Sequence, residues 1–239
     1  EVRSPGAPIT VHHLLTHTAG IIMGTEVTLE APHEAWSIRG TETRVAPGTW
    51  FHYSNLGYKA LGLVLEAIAG RPCRETVQRR ILEPLGMTSS VAAITHDGYR
   101  DLAIGYQELY DDRPLHPDHP LIPATWTESS TADGSIVSTA EDMAAYVRML
   151  LNRGATPGGR LLSERAFDRL TERAVAIEDG TAYAYGLSVA APDGHTLIGH
   201  TGGMVGFDTS ILADLDAGLG VVALSNSTRD VAPVATFAS

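Results

Sequence analysis

The chain has 239 residues, of which 44% are hydrophobic, and its formal net charge is −11. This length and apolar content suit one large domain with a buried core, and the single cysteine excludes an intrachain disulfide. The excess of acidic residues argues against a nucleic-acid partner, because binding to nucleic acid needs clustered Lys and Arg. The sequence has no run of 18 or more apolar residues, so no membrane segment is predicted.

The N-terminal part of the chain has the apolar spacing of helices. Thr10 is a predicted cap of a short helix that ends near Gly20. Beyond the aromatic residues 50–53, apolar side chains recur at helical spacing over residues 61–68, and Gly70 marks the end of that helix. A further helix is predicted from about residue 73 to residue 82.

Residues 91–133 are rich in Pro, Asp and His without a sustained period, so we expect loops, some of them at the rim of an active site. The next helix begins at residues 138–142, where Ser138 and Glu141 have the spacing of a capping box. Another helix is predicted over residues 163–174.

From residue 183 onwards the pattern changes to short strands separated by turns. Turns are predicted at residues 193–194 and 216–218. The predicted strands are residues 185–189, 196–200, 207–212 and 219–224. Short connections between consecutive strands predict an antiparallel sheet.

Helices followed by a terminal run of strands predict an α+β fold, with an antiparallel sheet flanked by helices plus a mainly helical subdomain. We expect one domain over residues 1–239, in which about 9–178 are mainly helical with rim loops and about 183–226 supply the strands.

Several short motifs occur in an order that resembles the serine β-lactamase-like family, particularly the branch of class C β-lactamases, D-Ala-D-Ala carboxypeptidases and related esterases. The motifs are residues 9–20 (ITVHHLLTHTAG), 47–48 (PG), 51–58 (FHYSNLGY), 84–87 (PLGM), 134–142 (GSIVSTAED), 200–203 (HTGG) and 206–207 (GF). The resemblance covers nearly the whole chain. It implies a β-lactamase/transpeptidase-like fold, present in part, and an acyl-transfer hydrolase that needs no cofactor or metal.

The family motif Tyr-x-Asn falls on Tyr53 and Asn55. A phenol whose pKa is lowered by nearby cationic groups can take the proton of a nucleophilic serine and pass it to the leaving group, so Tyr53 is the candidate general base and acid. The resemblance implies that Asn55 orients the substrate and holds a catalytic lysine. In the alternative reading, an aromatic residue packs at a helix start and Asn55 caps the helix.

The family motif Lys-Thr-Gly falls on His200, Thr201 and Gly202. A cation or donor at His200 and the Thr201 hydroxyl would bind a substrate carboxylate, and Gly202 would let the substrate approach the strand edge. The resemblance assigns half of an oxyanion hole to the N–H of Gly203. The alternative reading is a glycine bend beside a half-buried histidine.

The Ser-x-x-Lys motif that carries the family's nucleophile does not occur. Lys59 is the only lysine, and the residue three positions before it is Leu56. We therefore expect the serine and lysine to come from a missing N-terminal segment or from a second chain, and residues 1–239 to be inactive alone. The expected substrate is a small-molecule or peptide amide or ester.

Other reaction classes have less support in the sequence. The Gly-x-Ser-x-Gly elbow of α/β-hydrolases is absent. His13 and His17 are four apart but lack the glutamate of a zinc motif, which favours structural histidines. The main alternative is a non-catalytic homologue or fragment that serves as a binding or regulatory module. Localisation is undecidable from these residues.

Overall fold

A computed structural model of the chain describes residues 2–24, 30–43, 45–110, 112, 116, 118–177 and 180–228. In these ranges the helices are α1 (Val11–Leu15), α2 (Ala31–Ser37), α3 (Asn55–Ala69), α4 (Cys73–Val77), α5 (Ala140–Leu151) and α6 (Glu164–Thr171). The strands are β1 (Tyr106–Glu108), β2 (Leu121–Pro123), β3 (Ala155–Thr156), β4 (Gly159–Arg160), β5 (Val175–Ala176), β6 (Ala182–Tyr183), β7 (Ser188–Ala190), β8 (Leu197–Met204), β9 (Phe207–Asp214) and β10 (Leu219–Ser225). A π-helical turn (Gln78–Leu82) extends α4, and 3-10 turns cover His96–Asp101 and Pro192–Gly194.

The main sheet is antiparallel throughout, with strand order β10-β9-β8-β7-β6-β5. This confirms the predicted α+β class. Two details differ from the sequence prediction. The strand β8 continues to Met204, and the short strands β5 and β6 were not predicted. The predicted rim loops also contain the small hairpin of β1 and β2.

The larger core lies between the sheet and the helices α5 and α6. Val147 and Leu150 of α5 and Phe167 of α6 are buried against apolar side chains of the sheet. The helix α5 approaches β10 so closely that a Cβ atom on Gly220 would lie 2.4 Å from the Val147 side chain. Burial of these side chains is the main source of stability for this layer.

The helix α3 is bounded by local signals that agree with the sequence. Ser54 is its N-cap, and Gly70 ends it in a left-handed conformation with φ 65°. Its buried side includes Leu56, which packs with the α1 region. Gly62 lies against the segment before α5, where a Cβ atom would be 2.6 Å from Cβ of Ala132.

The start of α5 corrects one sequence prediction. Thr139, and not Ser138, is the N-cap, and its side chain accepts a hydrogen bond from the Asp142 N–H at 3.2 Å. The hydroxyl of Ser138 instead lies 2.8 Å from that of Ser90.

In the described part of the chain, no helix has both the length and the apolar character needed to span a bilayer.

Candidate active site

Tyr53 lies immediately before the N-terminus of α3. The position of Tyr53 is defined by two hydrogen bonds of the next residue, Ser54. The Ser54 hydroxyl accepts a hydrogen bond from the Gly57 N–H at 3.0 Å and donates one to the carbonyl of Ile22 at 2.6 Å. Asn55, half-buried, is the first residue of the helix. The alternative in which Asn55 caps α3 is therefore wrong, because Ser54 is the cap.

The ring of Tyr53 lies among rings from three other parts of the chain. Its centroid is 4.1 Å from that of His17, which follows α1, and 6.2 Å from that of His200 on β8. The ring of Tyr183 on β6 is 6.5 Å away in an edge-on arrangement. The fold thus brings together the two motifs that contain Tyr53 and His200.

Both ring nitrogens of His200 have partners. Nδ1 contacts the carbonyl of Thr201, which can only accept, so the proton of the neutral ring is on Nδ1. Nε2 is then an acceptor for the hydroxyl of Tyr183 at 3.0 Å. Burial lowers the pKa of His200, opposed by the Thr201 hydrogen bond. This environment disfavours the cation that the sequence suggested at His200, and its N–H is already bound by Thr201.

The second half of β8 lies at an edge of the described sheet. The pairing of β8 with β7 ends at Gly199 and Ser188, whereas its pairing with β9 continues to Met204. The three residues 201–203 are exposed. Thr201, Gly202 and Gly203 therefore present backbone and a hydroxyl beside the ring cluster, at a position where an extended ligand can approach.

Two phenols support this ring cluster, of which Tyr183 is buried and Tyr58 is half-buried. The hydroxyl of Tyr58 on α3 donates to the carbonyl of Leu15 at 2.9 Å. Burial, reinforced by the nearby phenol of Tyr53, raises the pKa of Tyr58. Burial also raises the pKa of Tyr183, and the phenols of Tyr58 and Tyr53 add to that shift. Both groups therefore remain protonated hydroxyls at neutral pH.

Two of the three histidines of the N-terminal motif act as hydrogen-bond acceptors for backbone. Nδ1 of His13 accepts from the Thr10 N–H at 3.2 Å, and Nδ1 of His17 accepts from the Ser54 N–H at 3.0 Å. Burial is the main cause that lowers the pKa of His17 to about 4, followed by the repulsion that protonated His200 and protonated His52 would exert. Over the described ranges, no group of three or more His, Cys, Asp or Glu side chains forms a metal site.

Lys59, the only lysine, lies on α3 with a side chain that is 0% exposed. Its ammonium contacts a carboxylate oxygen of Glu34 and lies 3.7 Å from Oδ2 of Asp133. The ring cluster around Tyr53, in contrast, consists of two imidazoles and three phenols, those of His17, His200, Tyr53, Tyr58 and Tyr183. Lys59 thus belongs to a buried ion cluster that joins α2, α3 and the segment before α5.

Sequence reasoning did not identify Tyr183 or Tyr58 as site residues. Tyr183 lies in a strand of only two residues, too short for the alternation of apolar and polar residues to be visible. Tyr58 is in the quoted motif but one turn inside α3, where an aromatic side chain is usually part of the core. The local signal in the sequence is the close spacing of Tyr183 and Tyr185. The structure shows that the alanine between them is fully buried.

Residues 1–237 match the family described as Beta-lactamase. An uncharacterized protein of Mycobacterium tuberculosis is 30% identical over 186 residues, which cover 69% of this chain and 45% of that protein. The solved octameric penicillin-binding protein homologue from Pyrococcus abyssi is similar, with TM-score 0.80, 29% identity, and coverage of 95% of this chain and 54% of that chain.

A D-stereospecific amidohydrolase from Streptomyces sp. has the same fold, with TM-score 0.74 and 24% identity over 94% of this chain and 70% of that chain. The chain spans less than half the length of the Mycobacterium tuberculosis relative.

Proposed function

Because the chain belongs to the beta-lactamase family, we propose that it supplies the proton-transfer and substrate-binding half of a serine hydrolase. The reaction is acyl transfer from an amide or ester. One observation carries the proposal, namely the 6.2 Å between the ring centroids of Tyr53 and His200, which join the Tyr-x-Asn and His-Thr-Gly motifs in one cluster.

In this proposal Tyr53 carries the proton. As the phenolate it takes the proton of the attacking serine hydroxyl, and as the resulting phenol it donates that proton to the leaving amine or alkoxide, which returns Tyr53 to the phenolate. Asn55 orients the substrate through its amide. The N–H of Gly203 supplies one donor to the oxyanion of the tetrahedral intermediate. All of these groups are at the start of α3 or on the exposed end of β8.

The strand edge over residues 201–203 supports an extended acyl group as substrate. A substrate amide that pairs with this edge would be bound by backbone hydrogen bonds, with the Thr201 hydroxyl beside it and no side chain at Gly202 or Gly203. His200 has no charge in this arrangement; it holds the carbonyl of Thr201 and thereby shapes the edge. β-Lactams, D-amino-acid peptides and simple esters all suit the acyl-transfer site, but simple esters lack the amide that pairs with the edge.

The serine and its partner lysine are proposed to lie outside residues 1–239. Lys59 is unsuited to the role because Leu56 stands three residues before it and because its ammonium is buried against Glu34. A further segment of polypeptide or a second chain would supply both groups. The amidohydrolase and penicillin-binding homologues among the structural neighbours support a hydrolase of this kind.

Tyr53→Phe tests the assigned proton carrier in the complete polypeptide that contains these residues. With a chromogenic ester or β-lactam, we expect turnover to fall by about 10²- to 10⁴-fold, the usual contribution of a general acid-base group. Tyr99→Phe is the matched control, since Tyr99 is an exposed tyrosine packed on Trp126 away from the cluster. Unchanged turnover in Tyr53→Phe would reject the role of Tyr53.

Labelling with a fluorescent penicillin tests the proposed nucleophile. We expect one acylated serine, located by peptide mass spectrometry outside residues 1–239. A label on a serine within these residues would overturn the proposed division of the site. Absence of both label and turnover with β-lactams and esters would favour the alternative function, a non-catalytic binding or regulatory module.

A further inference from the structure

His17 accepts hydrogen bonds from the two residues that flank Tyr53. Its carbonyl accepts from the N–H of His52 at 2.8 Å, and its ring Nδ1 accepts from the N–H of Ser54 at 3.0 Å. The imidazole also packs against the Tyr53 ring, with centroids 4.1 Å apart. The segment 52–54 is thus held on both sides of Tyr53 by one residue.

The backbone of His17 has the conformation that makes both contacts from one residue. Its φ is 55°, in the left-handed region that non-glycine residues rarely occupy. Such a conformation persists where the surrounding structure imposes it, and it is frequent at functional sites. Here it follows the end of α1 and places carbonyl and ring against the same neighbouring segment.

The protonation state of His17 agrees with this role. Because Nδ1 accepts from the Ser54 N–H, the proton of the neutral ring is on Nε2. The residue is 2% exposed, and Nε2 has no hydrogen-bond partner among the described residues. The titratable groups that face the ring are Tyr53, Tyr58, Tyr183, His52 and His200. With a pKa of about 4, the ring keeps its acceptor at neutral pH.

We propose that His17 is a positioning residue for Tyr53, which fixes the phenol relative to the strand edge of β8 by bonding the backbone on both sides of it. The proposal rests on the proposed function, in which Tyr53 carries the proton. It does not assign His17 any contact with substrate. Small displacements of a proton carrier are costly, since a shift of about 1 Å can lower turnover by about 10²-fold.

The pair His17→Asn and His17→Gln isolates the acceptor. Asparagine carries an oxygen on Cγ, where histidine carries Nδ1, and it tolerates positive φ. Glutamine is equally polar but places its oxygen one carbon further out. In the complete polypeptide we expect His17→Asn to keep kcat within about five-fold of the parent, and His17→Gln to lose about 10²-fold with little change in KM. His33→Asn, an exposed histidine on α2, is the control.

A readout without turnover separates this inference from the proposed function. With ¹³C-labelled tyrosine, the Tyr53 ring signal, assigned through Tyr53→Phe, should shift in His17→Gln and stay near its parent position in His17→Asn. Ser54 amide exchange should accelerate in His17→Gln alone. If the parent is inactive but these shifts occur, the proposed function fails and the positioning stands. Equal signals and equal kcat in both variants would overturn the positioning role, and so would equal losses in both.

Discussion

The hydroxyl of Tyr183 lies 3.0 Å from Nε2 of His200 and is the donor in that hydrogen bond. The direction follows from the other side of the ring, where Nδ1 contacts the carbonyl of Thr201 and must carry the proton. Burial lowers the pKa of His200 and raises that of Tyr183, so neither group is charged at neutral pH. A short strand, β6, therefore orients the histidine of β8 through a neutral hydrogen bond.

Replacing Tyr183 by Phe removes this donor and leaves Nε2 of His200 without it. We expect the free energy of unfolding to fall by about 1–2 kcal/mol, the cost of an unsatisfied buried acceptor. A double-mutant cycle with His200→Asn, which has no atom at the position of Nε2, should give a coupling of about 0.5–1.5 kcal/mol in urea unfolding. Tyr185→Phe is the control, because its hydroxyl contacts His12 at an exposed position. Additive effects of the two substitutions would contradict the hydrogen bond.

The pKa of His17 predicts a stability that depends on pH between about 4 and 6.5. In this range the unfolded chain, with its histidine near pKa 6.5, binds a proton that the folded chain does not. The free energy of unfolding should therefore not depend on His17 protonation above about pH 6.5. As pH falls from there towards 4, it should decline by up to about 3 kcal/mol. His17→Asn should flatten this decline in urea unfolding at pH 4.5, 5.5 and 7. Equal slopes for parent and variant would show that His17 is not responsible.

Lys59→Met should destabilise the fold strongly. It removes the cation from a buried cluster, and with it the ion pair that this cation makes with the buried Glu34 carboxylate, with Asp133 nearby. Breaking a buried ion pair on one side costs about 3–5 kcal/mol. Arg153→Met is the control, because its pair with Asp168 is exposed and such pairs contribute about 0–1 kcal/mol. Similar losses in thermal or urea unfolding of the two variants would contradict this account.

Gly202→Ala distinguishes a packing requirement from a substrate requirement. A Cβ atom at Gly202 would lie 2.6 Å from Oγ1 of Thr209 on the paired strand, which predicts a loss of about 1–3 kcal/mol. The double variant with Gly202→Ala and Thr209→Ala should be nearly as stable as Thr209→Ala alone, because Oγ1 of Thr209 is then absent. If this double variant still turns over slowly, Gly202 is also needed for substrate approach. A double variant as unstable as Gly202→Ala would reject the contact with Thr209.

Local signals predicted much of the secondary structure. The helix α3 ends at Gly70 as expected, because a glycine in the left-handed region is a backbone property that needs no tertiary context. The antiparallel sheet also followed from short connections between β-rich segments. The start of α5 was placed at Ser138 instead of Thr139, since several hydroxyl residues in a row satisfy the capping pattern and only tertiary contacts choose between them.

The sequence by itself determined the α+β class, the antiparallel sheet and the motif positions Tyr53, Asn55 and residues 200–203. Only the tertiary structure decided what surrounds them: that Tyr183 and His17 meet at Tyr53, that His200 is neutral, and that Lys59 is enclosed with Glu34. The physical reason is that motifs and glycine stop signals depend on neighbours along the chain. Ring contacts, tautomers and desolvation depend on segments brought together by folding.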